Sequence, residues 1–311
     1  MNRKLVYLLW FALWAMFAFV ASGEITTYDA DRRVPYTPDP AYERDEYHWW
    51  VRNTGQDSRL WLNGVYQSTE TGTNDWGLWQ AWQVQPHANG VKIGLVDVAG
   101  SHGSRMWEVL TNTAPGVQVT FYDCVRYNPW AVVEGIFHCL SNNCAAIVIG
   151  YGTGTAVVEL SNACAQASMV NVPVFAPVIG YPNNIDVIPD YPSSWAHVIP
   201  LLMPIAFSNR TGNLHVGSGW GTNTLAAPGR NIVAQGTYES GTSYSAPMAA
   251  GVFALMLAHF PQRTMAELTT RMRESSKVIP KSRHIQPLEC LRPFTPVNLS
   301  IRWVADVYET E

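Results

Sequence analysis

Short apolar runs alternate with amphipathic stretches through the middle of the chain. Residues 91–96 (VKIGLV) are apolar and β-branched, bounded by Asn89-Gly90 and Asp97, which predicts a strand buried on both faces. Residues 104–110 have helical spacing and end in Thr-Asn-Thr-Ala-Pro-Gly. Residues 117–121 (VQVTF) read as a second strand. Asn128 then offers a capping side chain and Pro129 the first helical position, and Trp130, Val133, Phe137 and Leu140 follow on one stripe. Residues 145–149 (AAIVI) predict a third buried strand, residues 156–169 a helix, and residues 172–176 a fourth strand. Thr264 to Glu267 forms a capping-box pattern, with Met265, Leu268 and Met272 on one helical face. This alternation predicts an α/β three-layer fold: a mostly parallel central sheet flanked by helices.

Composition narrows the picture. Of the 311 residues 47% are hydrophobic and 14% charged, enough apolar material for one large core. The net charge is −4, and Lys and Arg are scattered apart from Arg32-Arg33 and the stretch 277–283, so no basic stripe is present to neutralise phosphates. Nucleic acid is therefore not an expected partner. Seven of the thirteen tryptophans fall between Trp49 and Trp107, and packing explains that cluster better than ligand stacking.

Asn2-Arg3-Lys4, the apolar run Leu5 to Ala21 and the small residues Ala21-Ser22-Gly23 read as a signal peptide over residues 1–23. An uncleaved membrane anchor is the other reading, since 17 apolar residues are the short limit for crossing a bilayer. A membrane enters only on that second reading. On both, the folded part is exported, to a secreted or periplasmic location. Residues 24–48 are polar and Pro-containing, an irregular leader; 49–285 form the folded domain and 286–311 a C-terminal extension. Five cysteines (124, 139, 144, 164, 290) leave at least one unpaired. Cys139 and Cys144 are near enough to pair, with buried free thiols the alternative, and no CxxC pair suggests a metal site.

In parallel sheets, sites form beyond the carboxyl ends of the strands, and Asp97 lies there. His102 follows five residues later in DVAGSHGS, close enough for the two side chains to meet across one loop. A carboxylate beside an imidazole fixes its tautomer, and the imidazole then acts as general base toward a hydroxyl. Ser243 is the candidate hydroxyl. It heads SAPMAAGVFALML, a stretch apolar on all sides that must be buried as a helix, and its first turn favours developing negative charge. Singly, Asp97 could be a cap, His102 a solvated loop residue and Ser243 an N-cap; together and in this order they point to catalysis.

GTSYSAPMAAG (241–251) resembles the serine motif of the subtilisin-like peptidases (subtilases), and the order Asp, His, Ser is that family's. HGS (102–104) with APG (114–116) is similar to its histidine motif. AAIVIGYG (145–152) resembles the strand that pairs with substrate, AAPG (226–229) the turn before the serine loop, and WWVRNTGQ (49–56) with WQAW (79–82) the segment before its first strand. The likeness spans roughly residues 49–280. It implies an exported serine endopeptidase with Asp97, His102 and Ser243 as catalytic residues and no cofactor. Its substrate is a peptide or protein, aligned in extended form by Gly150, Tyr151 and Gly152. For Tyr151 an ordinary strand-to-helix loop is the equal alternative. An α/β-hydrolase esterase is disfavoured, because no GxSxG elbow is present and the triad order differs.

The chain departs from the pattern in four places. The Asp–His segment is too short for the strands and calcium ligands that family members usually carry there, so no metal is expected. Ungapped alignment puts Gly180 where the family has its oxyanion-hole asparagine; Asn183, with Asn184 beside it, is the substitute. Losing such a donor costs on the order of 10²–10³ in rate, so a catalytically impaired relative acting as a peptide- or protein-binding module is the alternative function. Pro200 and Pro204 interrupt HVIPLLMPI, which predicts an edge or irregular strand. Residues 24–48 are too short to resemble the family's folding propeptide.

Overall fold

The apolar runs become neighbouring strands, because a strand apolar on both faces must be covered on both. The computed structural model describes residues 50, 60–62, 65–67, 76–125, 128–179 and 182–294. All of these lie in the second of two units, Met1–Asp39 and Pro40–Glu311. The signal segment, the leader and Gly180 lie outside the described residues.

A short antiparallel hairpin, β1 (Leu60–Leu62) and β2 (Val65–Gln67), precedes helix α1 (Leu78–Val84). The alternating part follows as β3 (Lys92–Asp97), α2 (Ser101–Thr113), β4 (Gln118–Asp123), α3 (Pro129–Ser141), β5 (Ala146–Ile149), α4 (Val158–Met169) and β6 (Val174–Pro177). Then come β7 (Leu202–Ser208), β8 (Leu225–Pro228), the hairpin β9 (Ile232–Ala234) and β10 (Thr237–Glu239), and α5 (Thr242–His259). The last elements are α6 (Met265–Glu274), β11 (Lys277–Ile279), β12 (Ser282–His284) and α7 (Pro287–Leu291). Among the described residues the central sheet has the order β11-β12-β8-β7-β6-β5-β3-β4. Its pairings are parallel except β11 with β12.

The chain is thus a three-layer α/β fold. Val96, Ile147, Ile149, Val174 and Leu202 project from the sheet onto Val132, Ile136 and Cys139 of α3 and Leu160 and Ala163 of α4. The opposite face is covered by α2 and α5, with Phe175 of β6 against Phe253 of α5 at 5.5 Å between ring centroids. Trp50, Trp76 and Trp82 are buried packing residues, as expected for that cluster. The capping box is formed: Thr264 Oγ1 accepts the Glu267 N–H at 3.2 Å, and Glu267 Oε2 accepts the Thr264 N–H at 2.8 Å.

Two expectations fail for local steric reasons. Helix α3 buries Val132, Gly135, Ile136 and Cys139, while Trp130 is 55% exposed. The stripe read from bulk hydrophobicity is rotated because small residues set the contact: a Cβ on Gly135 would lie 2.4 Å from Val96 Cγ1, so only glycine lets the helix sit this close. Strand β7 is neither an edge nor irregular, since it pairs with β6 and β8 and is buried throughout. Leu201 and Ile205 carbonyls accept N–H groups from β6, so by alternation Pro204 faces β8. There the pairing begins only at Ile205 opposite Leu225, and the donor that Pro204 lacks is not required. All five cysteines are buried free thiols, and Cys139 and Cys144 share a thiol hydrogen bond.

His284 of β12 couples the sheet edge to pH. It is buried, its Nε2 lies 2.8 Å from Ser208 Oγ, and burial pushes its imidazole down to about 4. The unfolded chain therefore binds a proton at higher pH than the folded one, so stability from a neutral His284 is complete above about 6.5 and is lost as pH falls toward about 4. Urea unfolding from pH 7.5 to 4.5 is expected to show wild type losing on the order of 3 kcal/mol more than His284→Gln. Parallel pH curves for the two proteins would refute this.

Candidate active site

Asp97 ends β3 and is buried at the carboxyl edge of the sheet. Its Oδ1 accepts the Val98 N–H at 2.7 Å, and its Oδ2 lies 2.6 Å from His102 Nδ1. The loop between them is shorter than the sequence suggests: α2 begins at Ser101, so His102 sits in its first turn rather than ahead of it. Gly100, at φ +112°, makes this abrupt start possible. Asp123, at the end of β4, braces the same loop by accepting the Ala99 N–H at 2.6 Å. The side chain of Asp97 is fully buried while that of His102 is 29% exposed. The acid is dry and the imidazole has an open side, as a base oriented by a carboxylate requires.

Gly150, just beyond β5, packs on the carboxylate. A Cβ there would come within 2.5 Å of Asp97 Oδ2 and 2.9 Å of Met106 Sδ, so a side chain has no room. The ring of Tyr151 is 8% exposed and belongs to the core under α3 and α4. Gly152 is half-buried beside Ile179 and Asp190. Asp190 accepts the Ile179 N–H at 2.6 Å, and burial pushes its carboxyl up to about 6 while that hydrogen bond pulls the other way.

Ser243 is the second residue of α5, whose residues from Tyr244 to Met256 are all buried. The first turn is tied down at two points. Ser245 Oγ lies 3.1 Å from Ala227 O and 2.9 Å from Pro228 O, which fastens it to the carboxyl end of β8. Tyr244 packs its ring 5.9 Å from that of His102. Its phenol, pushed up to about 12 by burial and the Glu239 charge, hydrogen-bonds with Arg105 and Glu239. Arg105 and Glu239 are themselves paired at 2.7 Å. This cluster joins α2, one turn after His102, to the first turn of α5, which carries Ser243. Sequence reading missed it, because its three members come from three separate elements and no motif links them.

Asp97 and His102 are thus in direct contact, and Ser243 stands on the adjoining turn. Ser243 is half-buried, and hydrogen bonds between a serine and its base commonly tighten only when substrate binds. Asn183 lies on the turn after β6, with its carbonyl accepting the Trp220 N–H at 3.0 Å and its side chain making no hydrogen bond among the described residues. The Asn184 side chain caps its own turn, accepting the Asp186 N–H at 3.0 Å. Among the described residues no group of three or more His, Cys, Asp or Glu side chains is placed to hold a metal ion.

The model of the subtilase family, Peptidase_S8, matches residues 181–288. No curated protein matches the chain in sequence. Solved structures do match in fold. The prenylagaramide maturation protease PagA superposes with a TM-score of 0.60 at 17% identity, covering 69% of this chain and 97% of that one. A lanthipeptide protease gives 0.62 at 15% identity, with 80% and 95% covered. A cold-adapted subtilisin-like serine proteinase gives 0.59 at 16% identity, with 77% and 98% covered. At these identities the likeness is one of fold. Residues 181–288 are thus similar to the subtilase family, and the described domain has the subtilisin-like fold.

Proposed function

We propose that this chain is an exported serine endopeptidase that cleaves peptide bonds through an acyl-enzyme on Ser243. The observation that carries the reading is the 2.6 Å contact of buried Asp97 with His102, whose ring lies 5.9 Å from that of Tyr244, the residue after Ser243. Asp97 keeps the proton of His102 on Nδ1, so that Nε2 is the nitrogen that takes the proton of Ser243 as its oxygen attacks the scissile carbonyl. His102 then gives that proton to the leaving amine, and water reverses the sequence to release the acyl half. The negative charge on the tetrahedral oxygen is stabilised by the N-terminal end of α5, with the Asn183 amide as the proposed side-chain donor. Segment 150–152 aligns the substrate backbone. No cofactor takes part. Export rests on the basic and apolar segment over residues 1–23.

A second reading, an impaired relative that holds peptides without cleaving them, is favoured by Gly180 standing where the family has its asparagine. Labelling separates the two. A fluorophosphonate probe is expected to modify wild type at Ser243 and to leave Ser243→Ala unmodified. Folded wild type that resists a probe able to label a control peptidase would sink the active-enzyme reading, and a label mapped elsewhere would sink the site. Asp97→Asn is expected to keep the fold and lower kcat roughly 10⁴-fold; a loss under tenfold in peptide hydrolysis would contradict the role given to Asp97. Gly150→Ala drives a methyl group onto the Asp97 carboxylate, and its unfolding free energy is expected to drop by about 1–3 kcal/mol together with turnover. An unchanged kcat in that variant would show that this packing does not position the acid.

A further inference from the structure

Two cysteines meet where α3 ends. Asn143 stands at φ +55°, the left-handed conformation that closes a helix. The Asn143 N–H donates to the Leu140 carbonyl at 3.1 Å, and the Cys144 N–H donates to the Cys139 carbonyl at 3.1 Å. This pair of bonds folds residue 144 back over residue 139, a geometry in which the two side chains commonly touch. Here both are thiols, and they hydrogen-bond to each other. Both are buried over Gly94 of β3: a Cβ there would lie 2.4 Å from Cys139 Sγ and 3.5 Å from Cys144 Sγ. The side chain that Gly94 lacks leaves the space in which the sulfurs meet.

The two thiols are not equivalent. The hydrogen bond from Cys139 pulls Cys144 down, against burial, and Thr120 and the Lys92 charge add to the pull. Lys92 is fixed at that end of the helix, its Nζ donating to the Asn142 carbonyl at 3.1 Å. Cys139 is raised, first by its hydrogen bond to Cys144 and then by burial. One sulfur is thus suited to attack and its neighbour to follow. Burial pushes the thiols of Cys124 and Cys164 up to about 12 and that of Cys290 up to about 11, so these three stay protonated.

We propose that Cys139 and Cys144 are a modification site, a dithiol at the end of α3 that a small disulfide such as oxidised glutathione converts to an intramolecular disulfide. The Cys144 thiolate attacks one glutathione sulfur, the glutathione S–S bond breaks, and one glutathione thiolate leaves. Cys139 then gives up its proton and attacks Cys144 Sγ, which forms the Cys139–Cys144 bond and expels the second glutathione. The protein loses two electrons and two protons, and the oxidised glutathione gains them as two thiols. The product closes the turn covalently and keeps the end of α3 on β3, the strand that carries Asp97 at its far end. An exported chain would meet an oxidising compartment in which this form persists. The inference holds whether or not Ser243 cleaves peptides.

The test counts thiols. Purified full-length protein, fully reduced and shown folded by circular dichroism, is equilibrated without oxygen at rising ratios of oxidised to reduced glutathione. Each sample is quenched in acid, unfolded in urea and alkylated with iodoacetamide, and every cysteine is read by mass spectrometry. Cys139 and Cys144 are expected to lose alkylation together, so that the five free thiols fall to three. Cys144→Ser is expected to leave Cys139 alkylatable at every ratio, and Cys139→Ser to collect glutathione at Cys144. Five alkylatable thiols throughout, a disulfide that includes Cys124, Cys164 or Cys290, Cys139 protected in Cys144→Ser, or Cys139→Ser without glutathione at Cys144 overturns the proposal. If a variant fails to fold, the count on folded wild type decides alone.

Discussion

Helix α5 has no polar face. Its residues from Tyr244 to Met256 are buried, so it can exist only at the centre of the molecule, with the sheet on one side and α2 on the other. Much else follows from that constraint. The helix must start at the carboxyl edge of the sheet, where Ser245 fastens its first turn to the end of β8. That start places Ser243 beside the turn of α2 that carries His102, with Tyr244 packed against the imidazole. A burial requirement spread over the whole helix is thereby converted into the position of one hydroxyl.

The second determinant is electrostatic. Asp97 is a carboxylate with no exposed side-chain surface, which would be costly without partners. It has two, the Val98 N–H and the His102 ring, and the packed Gly150 keeps water from its flank. The Arg105–Glu239 pair with the Tyr244 phenol links α2, β10 and α5 around the same point. Because these groups are only partly exposed, their hydrogen bonds hold geometry better than a surface ion pair would. Apolar packing sets the coarse position of the two helices, and this polar cluster sets their relative register at the site.

What was legible in the sequence was whatever local patterns determine. The inner strands stood out as β-branched runs, Asp97 by its place after one of them, and Ser243 by the helix it heads. The orientation of α3 was not legible, because Gly135 and Cys139 win the contact through small size rather than hydrophobicity. The course of β7 was hidden too: Pro204 looked like a strand breaker until the register showed that its missing donor faces no partner. Arg105, Glu239 and Asp190 carry no motif, and their surroundings are assembled by tertiary contacts between distant segments.

The account turns on His102 acting on Ser243. The direct measurement is the second-order rate of phosphonylation at Ser243 in wild type and in His102→Ala, with folding checked by circular dichroism. Removing a general base from a hydroxyl nucleophile is expected to slow the reaction by on the order of 10²–10⁴. A Ser243 phosphonylated equally fast without the imidazole would contradict the account.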